Sequence, residues 1–239
     1  MNIRNPRRQV SRLPKERRVA DIMAAARSVF REKGYEDAPL SDIADRANMV
    51  EGSIYRYFEN KRDLLVKVIE DWYEHMLADY DQQLSGIRGT RNRLRFMIWR
   101  HLKTIHEEPA LCNLMFQYLR TGSDYSSTAV YGLNRQYTRR TLDIIKEGID
   151  AGELRGSVSL RLVRDMIYGC IEHRTWAYLR GEGDFDPDQT ADAIVDLVFS
   201  ALVERQPESQ IAAELAGRME RAVAKLEAMT CPKPARLLR

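Results

Sequence analysis

The chain has 239 residues, 44% hydrophobic and 31% charged, with a net charge of +3. That exceeds one average domain and supplies a real core, so a larger domain with a smaller one attached is expected. No apolar run approaches the roughly 18–20 residues that span a membrane, the start "MNIRNPRRQVSRLPKERR" has no apolar signal core, and Cys112, Cys170 and Cys231 form neither a zinc pattern nor a disulfide framework; the expected location is the cytoplasm.

The charge is unevenly spread. Residues 1–67 hold 15 Lys/Arg against 10 Asp/Glu, a net of +5, and the remainder sums to −2. Residues 1–14 read as a basic flexible arm, which either engages an anionic partner or is a solvated tail.

From there the periodicity is helical, and strand signals are nearly absent. Val19, Ile22, Met23, Ala26, Val29 and Phe30 predict a helix from Lys15 to Lys33, stopped by Gly34. Leu40, Ile43, Ala44 and Ala47 predict a second, with Pro39 in its first turn. After "NMV" turns the chain, "EGSIYRYF" reads as a third helix held down by Ile54 and Phe58. Lys61 opens a longer helix to about Tyr80, and Ser85–Thr90, with two glycines, reads as a linker and domain boundary.

Further helices are expected over Arg91–His106, over Pro109–Leu119 (apolar nearly all round, hence central), over Thr128–Ala151 and over Leu160–Leu179. Asp186 caps and Pro187 starts the next, to about residue 204. Pro207–Met229 reads as an extra amphipathic helix before a frayed tail.

Two short helices joined by a tight turn, braced on either side, make a helix-turn-helix, whose second helix enters the major groove of DNA. Residues 51–57 suit that role. Ser53, Arg56 and Tyr57 face out, and the phenol of Tyr55 reaches as far as a phosphate. Arg56 either contacts DNA or pairs with Glu59 or Asp63. Glu51 has two readings. It closes a capping box with Asn48, or it accepts a hydrogen bond from a cytosine N4.

"ARSVFREKGYEDAPLSDIADRANMVEGS" followed by "GSIYRYFENKRDLL" resembles the DNA-binding domain of the tetracycline-repressor-like (TetR/AcrR) family of bacterial transcription regulators. The resemblance covers roughly residues 15–67: A-x-x-x-F-x-x-x-G-Y, then D-I-A, then G-S-hydrophobic-Y-x-x-F-x-x-K. It implies an all-α fold, with a three-helix helix-turn-helix domain over 15–67 and a helical effector-binding and dimerisation domain over 68–206. The extra helix and tail occupy 207–239. It also implies a homodimer on a palindromic operator, released as a repressor by a small hydrophobic effector. Carried over by position, Ser53, Tyr55, Tyr57 and Lys61 are DNA contacts, to which the residue-level reading adds Glu51 and Arg56. This sequence departs from the family at Ala38-Pro39, where a Thr or Ser cap is usual, at Asn48 for the turn glycine, and at Val50 for a capping Ser.

No catalytic constellation is visible, so no enzyme and no cofactor are expected. The effector pocket is expected among Trp99, Met115, Phe116, Tyr118, Tyr137, Tyr168 and Trp176, with Asn134 and His173 as polar anchors. The stripe Ala191, Ile194, Val195, Val198 and Leu202 is expected at the dimer interface, the alternative being that it covers its own subunit's core. A constitutive DNA-binding or protein-recruiting factor on the same fold is the alternative function.

Overall fold

The structure is a computed structural model describing residues 14–203 and 208–230. Apart from Pro14, the basic arm lies outside these residues, as do Cys231 and the tail from 231. Every described element is helical.

The first three elements are α1 (Lys15–Lys33), α2 (Leu40–Arg46) and a 3-10 turn over Glu51–Arg56. Helix α1 ends where Gly34 takes φ 76° and ψ −177°, with its amide on the Phe30 carbonyl. L side chains rarely adopt that conformation, so a glycine is needed there. Asn48 is the one non-glycine residue with positive φ among those described, at 52°, and it reverses the chain between α2 and the 3-10 turn. Helix α3 (Lys61–Leu84) starts at Asn60, whose side chain accepts from the Asp63 amide at 2.9 Å.

Then come α4 (Thr90–Glu107), α5 (Pro109–Asn113), a π-helical turn over Leu114–Leu119, α6 (Ala129–Asp150), α7 (Leu160–Leu179) and α8 (Pro187–Leu202). Three of these follow from residues at their starts. Pro109 opens α5, Thr128 caps α6, and Asp186 caps α8 with Gln189 N at 3.0 Å. The apolar segment 109–119 is central as expected, but it is not one α-helix. It changes to π geometry at Leu114, which adds a residue to the turn.

The chain divides into two compact units, one through Leu202 and one from Val203. The linker Ser85–Thr90 therefore lies inside the first unit, between α3 and α4. The second unit holds α9 (Glu208–Thr230), which exposes Leu215, Met219 and Val223 at four-residue spacing.

Two apolar cores fill the first unit. One gathers α1, α2, Ile54, Phe58 and the first half of α3, and is completed by Leu111, Leu114, Met115, Leu119 and Val130. The other lies among the ends of α3, α4, α6, α7 and α8. Trp72, Met76, Phe116 and Leu133 pack against both.

The expected dimer stripe requires correction. Ala191, Ile194, Val195, Val198 and Leu202 are buried in the second core, where α8 lies along α4 of the same chain. Charges on both helices fix that pairing: Arg95 bonds Asp188 and Asp192, and Arg91 bonds Asp196. The stripe has the right periodicity because an apolar face is needed against α4. The apolar residues left exposed on these helices are Leu162, Met166 and Trp176 on α7 and Leu197 on α8, the last 69% exposed.

Candidate DNA-reading turn and effector cavity

The DNA-reading turn is anchored by two side chains. Ile54 and Phe58 are buried in the first core, at 1% and 4% exposure. That leaves Glu51, Tyr55 and Arg56 exposed, and Ser53 and Tyr57 half-buried. The segment is shorter and tighter than the expected helix. Val50 offers no capping oxygen, and the first bond is Ser53 N to Val50 O at 2.9 Å, an i to i+3 contact.

Two intramolecular contacts that the sequence allows are not made here. The capping-box reading of Glu51 is incorrect: the Asn48 amide donates to Asp45 O at 3.1 Å, and no side chain caps the turn. Arg56 forms no ion pair among the described residues. Asp63 instead accepts from the Glu59 amide at 3.0 Å. Other basic groups of this region are committed. Arg46 forks onto Glu32, which holds that carboxyl below its ordinary pKa, and Lys33 bonds Asp42. Lys61 donates to Glu36 O at 3.1 Å and lies 4.6 Å over the Tyr35 ring. Among the described residues Arg56 is therefore the uncommitted guanidinium of the turn, next to the exposed phenol of Tyr55.

The second feature is a cavity of about 1040 Å³ among α3, α4, α6, α7 and the π turn. Of the expected pocket residues, it brings together Phe116, Asn134, Tyr137 and Tyr168. The others lie elsewhere. Trp99 packs on Phe96 at 6.2 Å in the second core, and Met115 is buried in the first. Tyr118 packs at a tilt against Tyr35, ring centroids 5.0 Å apart. His173 and Trp176 are exposed on the outer side of α7. In each case size and aromaticity marked the residue for burial or contact, but the helix face settled which surface it serves.

The interior is aromatic with a few polar atoms. His101 is half-buried, stacked on Tyr137 at 5.4 Å and edge-on to Tyr168 at 5.4 Å. Burial lowers its pKa to about 4, so the ring is neutral. Tyr168 Oη and Thr141 Oγ1 bond at 2.8 Å, and Tyr73 Oη donates to Asn134 Oδ1 at 3.4 Å. Tyr137, 1% exposed, has a buried hydroxyl without a hydrogen-bond partner among the described residues. Leaving such a group unmet costs about 1–3 kcal/mol.

The rim is cationic. Arg120, Arg135, Arg139, Arg161 and Arg164 line it, against Asp165 and Glu172. Arg120 bonds Glu172 at 3.0 Å and Arg164 bonds Asp165 at 2.7 Å. Arg135, Arg139 and Arg161 are exposed and make no ion pair among the described residues. The sequence reading missed these arginines. Their one trace is spacing, with 135/139 and 161/164 each on one helix face. Among the described residues no group of three His, Cys, Asp or Glu side chains could hold a metal, and no helix is long and apolar enough to cross a membrane.

Known proteins resemble this chain in sequence and in fold. Residues 22–68 match the model of bacterial regulatory proteins, tetR family, and residues 88–202 match that of the tetracyclin repressor-like C-terminal domain. A fatty acid metabolism regulator protein of Bacillus subtilis is 24% identical over 181 residues, 76% of this chain and 93% of that one. The transcriptional repressor KstR2 of Mycolicibacterium smegmatis is 22% identical, over 78% of this chain and 91% of its own. Among solved structures, FadR from Bacillus subtilis in complex with stearoyl-CoA superposes with a TM-score of 0.67 at 24% identity, covering 76% of this chain and 97% of that one.

Proposed function

The chain belongs to the tetR family of bacterial regulatory proteins, matched by models of both its DNA-binding and C-terminal parts, and from that premise we propose that it is a dimeric repressor released from its operator by an amphipathic anion. The observation that carries the effector class is the cavity, with aromatic walls behind a rim of five arginines. An apolar chain lies against Phe116, Tyr137 and Tyr168. Its anionic end meets the rim, where guanidinium groups bind phosphate or carboxylate through paired N–H donors. An oxygen near the inner end of that head satisfies the Tyr137 hydroxyl. The names of the fatty acid regulator and of the stearoyl-CoA complex support an acyl-CoA as the probe of choice.

Two copies would meet through the exposed faces of α7 and α8, carrying Leu162, Met166, Trp176 and Leu197. Each copy then presents one turn, with Tyr55 and Arg56 foremost, to successive major grooves roughly 34–36 Å apart. The effector acts by binding better to a conformation in which that spacing is lost.

A gel shift tests the reading. Duplexes are first selected from a random pool by the purified protein at fixed salt, then titrated with palmitoyl-CoA, palmitate or coenzyme A alone. The expected result is sequence-specific binding, released by palmitoyl-CoA at lower concentration than by either half. Specific binding untouched by all three would leave a constitutive factor. Binding with no sequence preference would sink the regulator reading itself.

A further inference from the structure

Between the cavity and the DNA-reading turn lies a contact that neither site explains. Arg62 is the second residue of α3, joined to the turn through Asn60 and Lys61. Its guanidinium is used on every side. Nε donates to Asp124 Oδ2 at 2.8 Å, Nη2 donates to Asp124 Oδ1, and Nη1 donates to Tyr118 O at 2.9 Å. The Arg62 pair holds the Asp124 carboxyl below its ordinary pKa. All three bonds go to one stretch of chain, residues 118–124.

That stretch continues the π turn. Phe116 and Arg120 line the cavity, while Met115 and Leu119 are buried in the first core, to which Ile54 also belongs. Arg120 lies 5.3 Å over the Phe116 ring and bonds Glu172 of α7. The stretch is thus attached to the cavity at one end and to the start of α3 at the other.

Gly122 shows how closely the fit is drawn. A Cβ built there would fall onto Arg62 Nη2, 3.1 Å from Cζ and 2.7 Å from Asp124 Oδ1. Its φ is not in the positive range, so the backbone does not demand glycine at this position. A Cβ there would displace the far ends of the Arg62 and Asp124 side chains.

We propose that the fork of Arg62 on Asp124 and Tyr118 is the contact through which the cavity acts on the DNA-reading turn, and that Gly122 leaves room beside it. The proposal rests on the effector reading above. An anion that draws Arg120 away from Glu172 shifts the π turn. The shift reaches Arg62 as a displaced carbonyl and carboxylate, and so reaches the turn just ahead of α3. Arg62 is a positioning residue, with no contact to ligand required. A half-exposed ion pair adds little to stability, so the role predicted is coupling rather than folding.

The test uses the full chain with its selected duplex, and measures DNA affinity with and without saturating palmitoyl-CoA. Gly122→Ala displaces the guanidinium, and Asp124→Asn removes the charge from the fork while keeping its shape. Both are expected to cut the ligand-induced change in DNA affinity about fivefold or more, with an unchanged melting temperature. Both are also expected to quicken hydrogen exchange at the amides of residues 53–58 without any ligand. If both variants keep the wild-type response and the wild-type exchange, the proposal is overturned. If wild type ignores palmitoyl-CoA, the effector reading fails, and the exchange rates alone decide whether the fork positions the turn.

Discussion

Glu51 is the residue whose role the structure changes most. The sequence allows a cap or a reader, and the Asn48 amide is already bonded to Asp45 O, so the cap is gone. What remains is an exposed carboxylate on the first residue of the DNA-reading turn, shortly before Tyr55. A carboxylate accepts from cytosine N4 and repels the acceptor edges of other bases. Glu51→Gln is therefore expected to leave the melting temperature alone and to relax preference for cytosine at one operator position. Selection on random duplexes reads this directly, and an unchanged consensus would remove Glu51 from base reading. His101 gives a pH signature. Its ordinary pKa is 6.5 and burial lowers it to about 4. Between those values the unfolded chain takes up a proton that the folded chain refuses, so stability is present above pH 6.5 and lost as pH falls toward 4. His101→Gln should abolish that loss, about 2 kcal/mol after allowing for solvent entering the cavity. Urea titrations of both proteins at stepped pH check it.

The helices themselves were legible because their signals are local. The α1 and α7 bounds match the sequence reading, set by Gly34 at one end and by the Ser159 cap at the other. Which face of a helix meets which neighbour is not local, and there the reading failed. The α8 stripe reads as apolar and suits either a partner or its own subunit's core, and α4 of the same chain covers it. The π turn was invisible for a similar reason. Nothing in "LMFQYL" marks an extra residue, and only the need to serve the cavity with Phe116 and the first core with Leu119 makes it useful. The cavity was half legible: large aromatics are seen in sequence, but arginines on three different elements converge only in the fold. The interface proposed on the exposed faces of α7 and α8 predicts a contrast within α8. Leu197→Glu, on the exposed face, should give a folded monomer by sedimentation. Val195→Glu, 1% exposed, should lose several kcal/mol and unfold. A dimeric Leu197→Glu protein would place the two-fold contact elsewhere.

At the scale of the whole molecule, the DNA-reading end and the effector end share their packing. The first core takes Leu111, Leu114, Met115, Leu119 and Val130 from beyond α4, and Trp72, Met76, Phe116 and Leu133 touch both cores. A fragment of residues 14–84 carries every element of the helix-turn-helix yet exposes the surface those residues cover. It is expected to lack a cooperative thermal transition, whereas the full chain has one; circular dichroism distinguishes them. A cooperative melt for the fragment would mean that its own apolar contacts suffice. The borrowed core also bears on how such a protein can be rebuilt. Grafting residues 14–84 onto another regulator's body would transplant the reader without its foundation. A working chimera has to carry the five covering residues across the join, so the unit of exchange is a surface pair rather than a stretch of sequence.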